Sequence, residues 1–286
     1  MTTTTTTVLR ARRSPVRWSR GATYAALVLA MLVTLLPFIW MALGSVKTQA
    51  ELVRRPITWW PQDATADNYQ TWLSQLSYGQ YLTNSLIVAG AVVLGNLLFC
   101  SMVGYALAKM EFAGKRVLFM LVMLTLMVPG VVTLVPMFVL VSRMGLVNTY
   151  AALILPFVAT PLGVFLMRQF MSGIPDALIE AARIDGAGEL RVFARVVLPQ
   201  CGPPLATLAI LTFLSSWNNF LWPLVVAQSD DMYTLPIALS LYSNGTNGVY
   251  YGLLMAGSVL VVAPILFLFL FLQRYFVQGI AMTGIK

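Results

Sequence analysis

The chain is a succession of long apolar stretches separated by short polar connections. Each stretch is near or above the roughly 20 residues that an α-helix needs to cross about 30 Å of hydrocarbon. Helices are the expected form, because every backbone polar group must be hydrogen-bonded inside lipid and no barrel-like alternation of polarity occurs. The pattern predicts an all-α, polytopic membrane protein with six transmembrane helices, at 21–46, 82–108, 117–141, 150–170, 201–227 and 251–272.

Composition and charge agree with this membrane assignment. Hydrophobic residues make up 59% of the 286 residues and charged residues only 10%, whereas a soluble domain carries about 25% charged residues. Under this topology, 14 of the 18 Lys and Arg residues lie on the same side of the membrane as the N-terminus. The positive-inside rule therefore predicts that both termini are cytoplasmic. The scatter of basic residues over several segments argues against nucleic-acid binding.

The predicted organisation is one transmembrane domain with two tails. Residues 1–20, rich in Thr and Arg, are expected to form a disordered cytoplasmic tail. The six-helix domain occupies 21–272, and 273–286 form a cytoplasmic C-terminal tail. A basic segment before an apolar run is also typical of a signal peptide. The run from Ala22 to Leu43 is longer than the ~7–15 apolar residues of such a peptide, so a retained span is favoured.

Residues that usually perform catalysis or bind metals are scarce in this sequence. It has no His, and Cys100 and Cys201 form no metal-binding pattern. It has no Gly-x-x-x-x-Gly-Lys loop for ATP, and all ten acidic residues lie in loops or at span ends. Ion-coupled carriers usually place an ionisable residue inside the membrane. The sequence therefore predicts no catalytic residue, metal site or cofactor in this chain, and a pump of this kind would need a separate source of energy.

The predicted cytoplasmic connection 171–200 is long enough to have its own structure. Pro175 and Asp176 are typical of the first turn of a helix, and Gly186 is typical of the left-handed residue that ends one. A second short helix is predicted over 189–197, so that two helices lie across the membrane surface. Periodicity alone favours an amphipathic interfacial helix that has no partner.

The same connection carries a family motif. The run Glu180-Ala181-Ala182-Arg183-Ile184-Asp185-Gly186-Ala187, followed by Phe193 and Leu198-Pro199, resembles the EAA loop of binding-protein-dependent ABC importer permeases. Similarities to the carbohydrate (maltose-type) class continue in Val128-Pro129, in Val135-Pro136, at 145–149, at 217–224 and in the C-terminal 273–286. One departure is Gly188, where the family often has a Ser, Thr or Asn cap, although glycine is a tolerable N-cap.

The resemblance implies the type I permease fold of ABC importers in the bacterial cytoplasmic (inner) membrane. It implies a heterodimer with a second permease subunit, two ABC ATPase subunits that bind ATP and Mg²⁺, and an extracytoplasmic solute-binding protein. The EAA loop would be a coupling helix that enters a cleft on an ATPase and transmits its closure as mechanical work. The coupling residues would be Glu180, Ala181, Ala182, Asp185, Gly186 and Ala187.

A substrate pathway is suggested by polar and indole side chains within apolar spans, at Trp217, Asn218, Asn219, Trp222 and Asn84. Amides exchange hydrogen bonds with hydroxyls, and indole faces pack on the C–H faces of sugars. The indoles could equally belong to an interfacial belt, and the amides could bond neighbouring helices. The external aromatic residues also have two interpretations, contact with a sugar or a docking binding protein, or anchoring at the membrane interface. They are Trp59, Trp60, Tyr69 and Trp72.

We therefore expect a transmembrane permease subunit of an ATP-driven importer for a sugar or sugar-like solute. It would work by alternating access and would not itself be an enzyme. Two alternatives stay open from the residues alone: a stand-alone secondary transporter or facilitator, and a membrane scaffold that recruits a cytoplasmic partner through 171–200.

Overall fold

A computed structural model gives the architecture of residues 20–245 and 248–283. The α-helices are α1 (Arg20–Ser45), α2 (Gln49–Val53), α3 (Asp67–Gln70), α4 (Tyr78–Gly95), α5 (Ser101–Lys109), α6 (Lys115–Met127), α7 (Gly130–Arg143), α8 (Tyr150–Ile154), α9 (Pro161–Ser172), α10 (Asp176–Ile184), α11 (Glu189–Val192), α12 (Gly202–Trp217), α13 (Leu221–Val226), α14 (Leu235–Ser243) and α15 (Tyr251–Thr283). Segments Thr71–Gln75, Asn96–Cys100 and Phe193–Val197 are π-helical, and Leu155–Phe157, Leu198–Cys201 and Asp230–Met232 are 3₁₀-helical. Strands β1 (Asn244–Gly245) and β2 (Gly248–Val249) form a small antiparallel pair.

Four helical stretches are long and apolar enough to cross a membrane: Gly21–Ser45, Tyr78–Lys109, Tyr150–Ser172 and Glu189–Trp217. The first three match the predicted spans closely. The last predicted span begins where α15 begins, but α15 runs on to Thr283, so most of the predicted C-terminal tail is helical. The predicted disordered tail lies outside the described residues except for Arg20, as do the last three residues of the chain. The count of six spans and the side on which the termini lie stay predictions.

The third predicted span, 117–141, is not one helix. Helices α6 and α7 are bent by 107° at their junction, which is a broken span or a re-entrant loop. The cause is Pro129, which lacks a backbone N–H and disfavours helical geometry in the residue before it. Val128 is accordingly extended, with φ −83° and ψ 118°. Pro136 lies inside α7 without ending it.

The fifth predicted span, 201–227, differs at both ends. Its helix begins at Glu189, because the predicted second short helix runs through π and 3₁₀ turns directly into α12. The helix then stops at Trp217, and α13 starts at Leu221. Pro223 explains this stop, since a proline cannot donate to the carbonyl four residues earlier and clashes with it. The predicted pair of surface helices is therefore a single helix, α10, followed by the start of a span.

The most extensive packing within the membrane part joins α5 to α9. A side chain at Gly104 would place its Cβ 2.8 Å from the Cβ of Met167 and 2.9 Å from the backbone nitrogen of Arg168. Glycine is therefore required at this crossing. Around it lies a buried apolar cluster that includes Tyr105, Ile179 and Phe193. This cluster connects two spans to helix α10.

A cluster of polar residues lies next to the end of α1, on the predicted external side. Lys47 and Glu51 form a buried ion pair, with Nζ and Oε1 3.5 Å apart. The Glu51 carboxylate also accepts hydrogen bonds from the Thr58 hydroxyl at 2.6 Å and from the Gln62 backbone N–H at 3.1 Å. The Thr58 bond first, and then the backbone bonds and Lys47, hold the pKa of Glu51 below its ordinary value against the opposing effect of burial. Buried charges persist when they are paired in this way.

The external aromatic residues divide into buried and exposed members. Trp72 is buried, and its indole N–H donates to the carbonyl of Leu253 at 2.9 Å. The Tyr69 hydroxyl bonds to the last residue of α1 at 2.8 Å. Trp59 and Trp60 are 54% and 74% exposed. The first two residues hold the external segment on α15 and α1, whereas Trp59, which packs edge-on against Trp40, and Trp60 have exposed faces that can meet a lipid or a partner.

Candidate functional site

Helix α10 has one face on the protein and one face outward. Ile179 is buried in the apolar cluster, and Ala182, three residues later, packs against the same cluster. Residues three and four apart share a helix face, so Ala177, Glu180 and Ile184 lie on the other side and are exposed. Ile184 is 86% exposed.

The C-terminal end of α10 is a Schellman motif. The Ala187 N–H donates to the carbonyl of Ala182, and the Gly186 N–H donates to the carbonyl of Arg183, each at 3.0 Å. Gly186 has φ +81°, a conformation that favours glycine. The predicted stop at Asp185-Gly186 is therefore present in the structure, and it turns the chain sharply into α11.

One polar contact holds the N-terminal end of α10 on α5. The Lys109 ammonium donates to the carbonyl of Ile174 and to the carboxylate of Asp176, each at 2.6 Å. The Lys109 side chain is only 4% exposed, whereas that of Asp176 is 75% exposed. The hydrogen bond from Lys109, together with its charge, holds the pKa of Asp176 below its usual range.

A second polar contact holds the other end of α10. Glu189 accepts a hydrogen bond from Arg183 Nε at 2.8 Å and another from the Tyr105 hydroxyl at 2.7 Å. Its two carboxylate oxygens therefore join the last turn of α10 to α5, while its backbone begins α11. The pKa of Arg183 is raised, first by its hydrogen bond to Glu189. Both ends of α10 are thus attached to α5 by charged groups.

An open groove of about 610 Å³ lies beside the end of α10. Its lining residues are Gly186, Gly188, Glu189, Leu190, Arg191, Ala194 and Arg195. Leu190 is 71% exposed. The connection therefore exposes two large apolar side chains, Ile184 and Leu190, and the groove itself carries charges of both signs.

The predicted coupling residues fall on two faces. Glu180, Ala181, Asp185 and Gly186 are exposed on the outward side, whereas Ala182 and Ala187 pack inward on the apolar cluster. Glu180 takes part in none of the ion pairs of the described residues. Its carboxylate is available to another chain. The inward alanines instead allow α10 to lie close to its own membrane domain.

A cavity of about 560 Å³ lies at the interruption between α12 and α13. Asn218 ends α12, since both its backbone N–H and its side-chain amide donate to the Leu214 carbonyl, at 3.1 and 2.8 Å. The hydroxyl and amide side chains that line the cavity are Ser85, Thr160, Thr212, Ser215, Ser216, Asn218, Asn219 and Thr234. Of the described residues that line it, none is charged. The cavity therefore offers neutral hydrogen-bonding groups on apolar walls.

Of the five predicted pathway residues, Asn218, Asn219 and Trp217 line this cavity. The Trp217 indole is buried against Phe213 and donates its N–H to the Val261 carbonyl at 3.2 Å, so only its ring faces the cavity. The other two residues serve contacts between helices.

Trp222 and Asn84 are buried and fully bonded within the protein. The Trp222 N–H donates to the carbonyl of Ala152 at 2.9 Å. The Asn84 amide donates to the Asp231 and Tyr233 carbonyls at 2.7 and 2.9 Å, and its oxygen accepts from the Tyr150 hydroxyl at 2.6 Å. Neither side chain lines the cavity.

Sequence reasoning did not single out the cavity hydroxyls. Thr212, Ser215 and Ser216 share one side of α12, and Asn219 follows at the same spacing just beyond its end, a signal that the sequence does contain. Thr234 comes from a loop far along the chain, and its buried hydroxyl has no hydrogen-bond partner among the described residues. No local pattern marks that residue.

Comparisons with known proteins agree with one another. Residues 100–282 match the family model "Binding-protein-dependent transport system inner membrane component". The chain is 44% identical over 259 residues to the arabinooligosaccharides transport system permease protein AraQ of Halalkalibacterium halodurans, covering 89% of this chain and 92% of that protein. It is 32% identical over 256 residues to the lactose transport system permease protein LacG of Rhizobium radiobacter, covering 90% and 93%.

A solved structure shares the fold. It is a bacterial ABC transporter involved in import of the acidic polysaccharide alginate, with a TM-score of 0.78 at 23% identity, over 92% of this chain and 100% of that chain. A second structure, of a bacterial alginate ABC transporter in complex with an alginate pentasaccharide-bound periplasmic protein, has a TM-score of 0.62 at 17% identity, over 89% and 94%.

Proposed function

This chain belongs to the family of binding-protein-dependent transport system inner membrane components, and we propose that it carries a neutral oligosaccharide through an ABC importer. It is a multi-pass permease of the inner membrane, and the predicted importer subunit is confirmed over the stand-alone carrier and the scaffold. The proposal adds which surface receives the driving force and which cavity receives the solute.

The proposal rests on the contacts that attach α10 to the rest of the protein. Charged contacts hold both of its ends on α5, and Ile179 anchors its middle in the apolar cluster. A displacement of α10 must therefore move α5 with it, because closely packed elements transmit strain. The outward face is left free with Glu180 and Ile184. This arrangement suits a coupling helix on which a separate subunit exerts force.

The partners follow from membership of this family. We infer two ATPase subunits that bind ATP and Mg²⁺, a second permease that completes the pathway, and an extracytoplasmic binding protein that delivers the solute. Glu180, Ala181, Asp185 and Gly186 would meet the ATPase, and Ala182 and Ala187 would support them from beneath. ATPase closure would then rock the permease pair between inward-facing and outward-facing states.

The solute class follows from the cavity. Relatives of this chain are named for arabinooligosaccharides, for lactose and for sn-glycerol-3-phosphate. A phosphate ester buried in a cavity needs a cationic partner, and the described lining has none. Hydroxyls and amides beside the Trp217 ring instead match a neutral sugar.

Glu180→Lys tests the coupling surface. We expect the variant to insert normally but to lose co-purification with the ATPase and to lose solute uptake, because the exposed carboxylate is replaced by a cation. Glu111→Lys is a matched control, since Glu111 is exposed on the neighbouring cytoplasmic turn and its ion pair with Lys115 contributes little. Uptake by this chain alone in liposomes without ATP would refute the proposal.

Competition for uptake tests the solute class separately. Neutral arabinooligosaccharides or lactose should compete with the transported solute, and sn-glycerol-3-phosphate should not. Competition by the phosphate ester alone would contradict the assignment of a neutral sugar while leaving the coupling surface intact.

A further inference from the structure

A second, apolar groove lies between α5, α6 and α9. It has a volume of about 480 Å³, and its walls include Val103, Leu118, Leu121, Val122 and Val164. The groove runs from Phe112, in the predicted cytoplasmic turn, to Thr125 and Thr160 nearer the middle of the membrane. At about 1.5 Å per residue, Leu118 to Thr125 covers about 10 Å of depth.

The groove offers no free polar group to a sugar. Its two hydroxyls already donate within the protein, that of Thr125 to the Leu121 carbonyl at 2.8 Å and that of Thr160 to the Asn96 amide oxygen at 2.7 Å. Every other lining side chain is apolar or aromatic. The occupant that fits this lining is a hydrocarbon chain.

An arginine is held at the cytoplasmic end of the groove. Arg168 lies one helical turn beyond Val164, on the same face of α9. Its guanidinium stacks on the Phe119 ring of α6 at 3.8 Å, and its Nε donates to the Leu107 carbonyl of α5 at 3.4 Å. It therefore bridges the helices that form the groove.

The Arg168 charge has no counter-ion among the described residues. It takes part in none of the four ion pairs there, and its terminal Nη groups have no acceptor in that part of the chain. A guanidinium has five donors in a planar fork that matches a phosphate. Those donors are available to an anion that approaches this end of the groove.

A second arginine is placed at the same end. Arg116 lies one turn before Phe119 on α6, so it shares the face against which Arg168 stacks. It is exposed and also forms no ion pair with a described residue. Its neighbour Lys115 is already paired with Glu111 at 2.9 Å.

We propose that this groove is a binding site for an anionic phospholipid of the cytoplasmic leaflet. An acyl chain would occupy the apolar walls, and the headgroup phosphate would lie between Arg168 and Arg116. Basic sites between transmembrane helices on the cytoplasmic side are suited to anionic headgroups. A bound lipid would also support α6 close to its 107° bend from α7.

The site can be tested with a photoactivatable lipid. The full chain, together with any co-purifying subunits, is placed in phosphatidylcholine nanodiscs that contain phosphatidylglycerol with a diazirine in its acyl chain. We expect adducts on the peptides of α5 and α6 that line the groove. A phosphatidylcholine probe with the same diazirine should label them far less.

Variants separate the headgroup from the chain. Arg168→Gln or Arg116→Gln should reduce phosphatidylglycerol labelling roughly fivefold and the double variant roughly thirtyfold, since each basic residue near the surface contributes about 1 kcal/mol. Arg168→Lys should retain labelling, which excludes misfolding as the cause. Val122→Trp fills the groove and should abolish labelling while both arginines stay. Arg143→Gln, at the far end of the α6–α7 pair, is the neutral control.

The proposal is overturned by any of three results. The first is equal labelling by the phosphatidylglycerol and phosphatidylcholine probes. The second is labelling that Arg168→Gln and Arg116→Gln leave unchanged. The third is the absence of labelling on the groove peptides because a co-purifying subunit covers them. None of these results bears on the coupling surface, so the two proposals stand or fall separately.

Discussion

The Lys109 ammonium lies 2.6 Å from the carboxylate of Asp176, although 67 residues separate them along the chain. The last turn of α5 is thereby attached to the first turn of α10. Because Lys109 also donates to the Ile174 carbonyl, this single buried cation holds both the entry to α10 and its first side chain.

Replacing Lys109 should loosen α10 more than replacing its partner. Lys109→Met removes a nearly buried cation and the charge-assisted hydrogen bonds it makes, at a cost of about 1.5–3 kcal/mol. Asp176→Asn should have a smaller effect, since that carboxylate is largely exposed and screened. Hydrogen exchange of the 174–187 peptide and the amount of ATP hydrolysed per solute transported would measure both.

Lys115→Met is the control for this prediction. It removes a cation of the same turn whose partner Glu111 is 90% exposed, so α10 should be unaffected. If Lys115→Met and Lys109→Met raise hydrogen exchange in α10 equally, the proposed attachment is wrong.

Two glycines of the same connection should respond in opposite directions. Gly186→Ala forces an L-residue into φ +81° and should destabilise the end of α10 by about 1–2 kcal/mol. Gly188→Ser should be neutral or slightly stabilising, since Gly188 is an N-cap with φ −71°, has open space at its Cβ, and serine caps better. Uptake rate and ATPase co-purification are the measurements, and loss of coupling in Gly188→Ser alone would contradict this view.

Asn219 and Trp222 should separate substrate binding from stability. Asn219→Leu removes a cavity amide, so it should raise the solute concentration that half-saturates uptake and leave the melting temperature unchanged. Trp222→Phe leaves the buried Ala152 carbonyl without its donor, at a cost of about 1–3 kcal/mol. It should lower the melting temperature without altering the half-saturating concentration. If Asn219→Leu lowered the melting temperature and Trp222→Phe changed only the half-saturating concentration, the cavity would not be part of the proposed pathway.

The external cluster around Glu51 should open in acid. The pKa of the Glu51 carboxyl is lowered in the folded protein. Its ionised form therefore stabilises the fold fully above the ordinary pKa near 4.5, and this stabilisation is lost as the pH falls through the lower pKa of the folded protein. Hydrogen exchange of residues 47–65 should therefore rise in that acidic range.

Glu51→Gln should exchange faster already at neutral pH and lose this acid dependence. Asp63→Asn is the control, since it changes an exposed carboxylate that forms no ion pair among the described residues. An unchanged acid transition in Glu51→Gln would assign the transition to another group.

The local features of this fold could be read from the sequence because they depend on neighbouring residues. The apolar runs predicted three of the four membrane-length helical stretches closely, and the 180–187 run predicted the family. The end of α10 at Gly186 followed from the rarity of a left-handed conformation in residues other than glycine. The breaks at 128–129 and 218–220 were not predicted, because the predicted spans 117–141 and 201–227 run through them, although Pro129 and Pro223 mark both.

The sequence by itself therefore determined the membrane class, the family and the position of helix α10. The tertiary structure decided which polar residues serve which purpose. Asn84 and Asn219 are both amides in apolar helices, yet one is enclosed by carbonyls and a tyrosine from distant segments and the other lines a cavity. Lys109 likewise contacts Asp176 across a separation of 67 positions in the chain, and Tyr105 contacts Glu189 across a separation of 84. Periodicity and capping act over a few residues, whereas these assignments depend on which helices pack together.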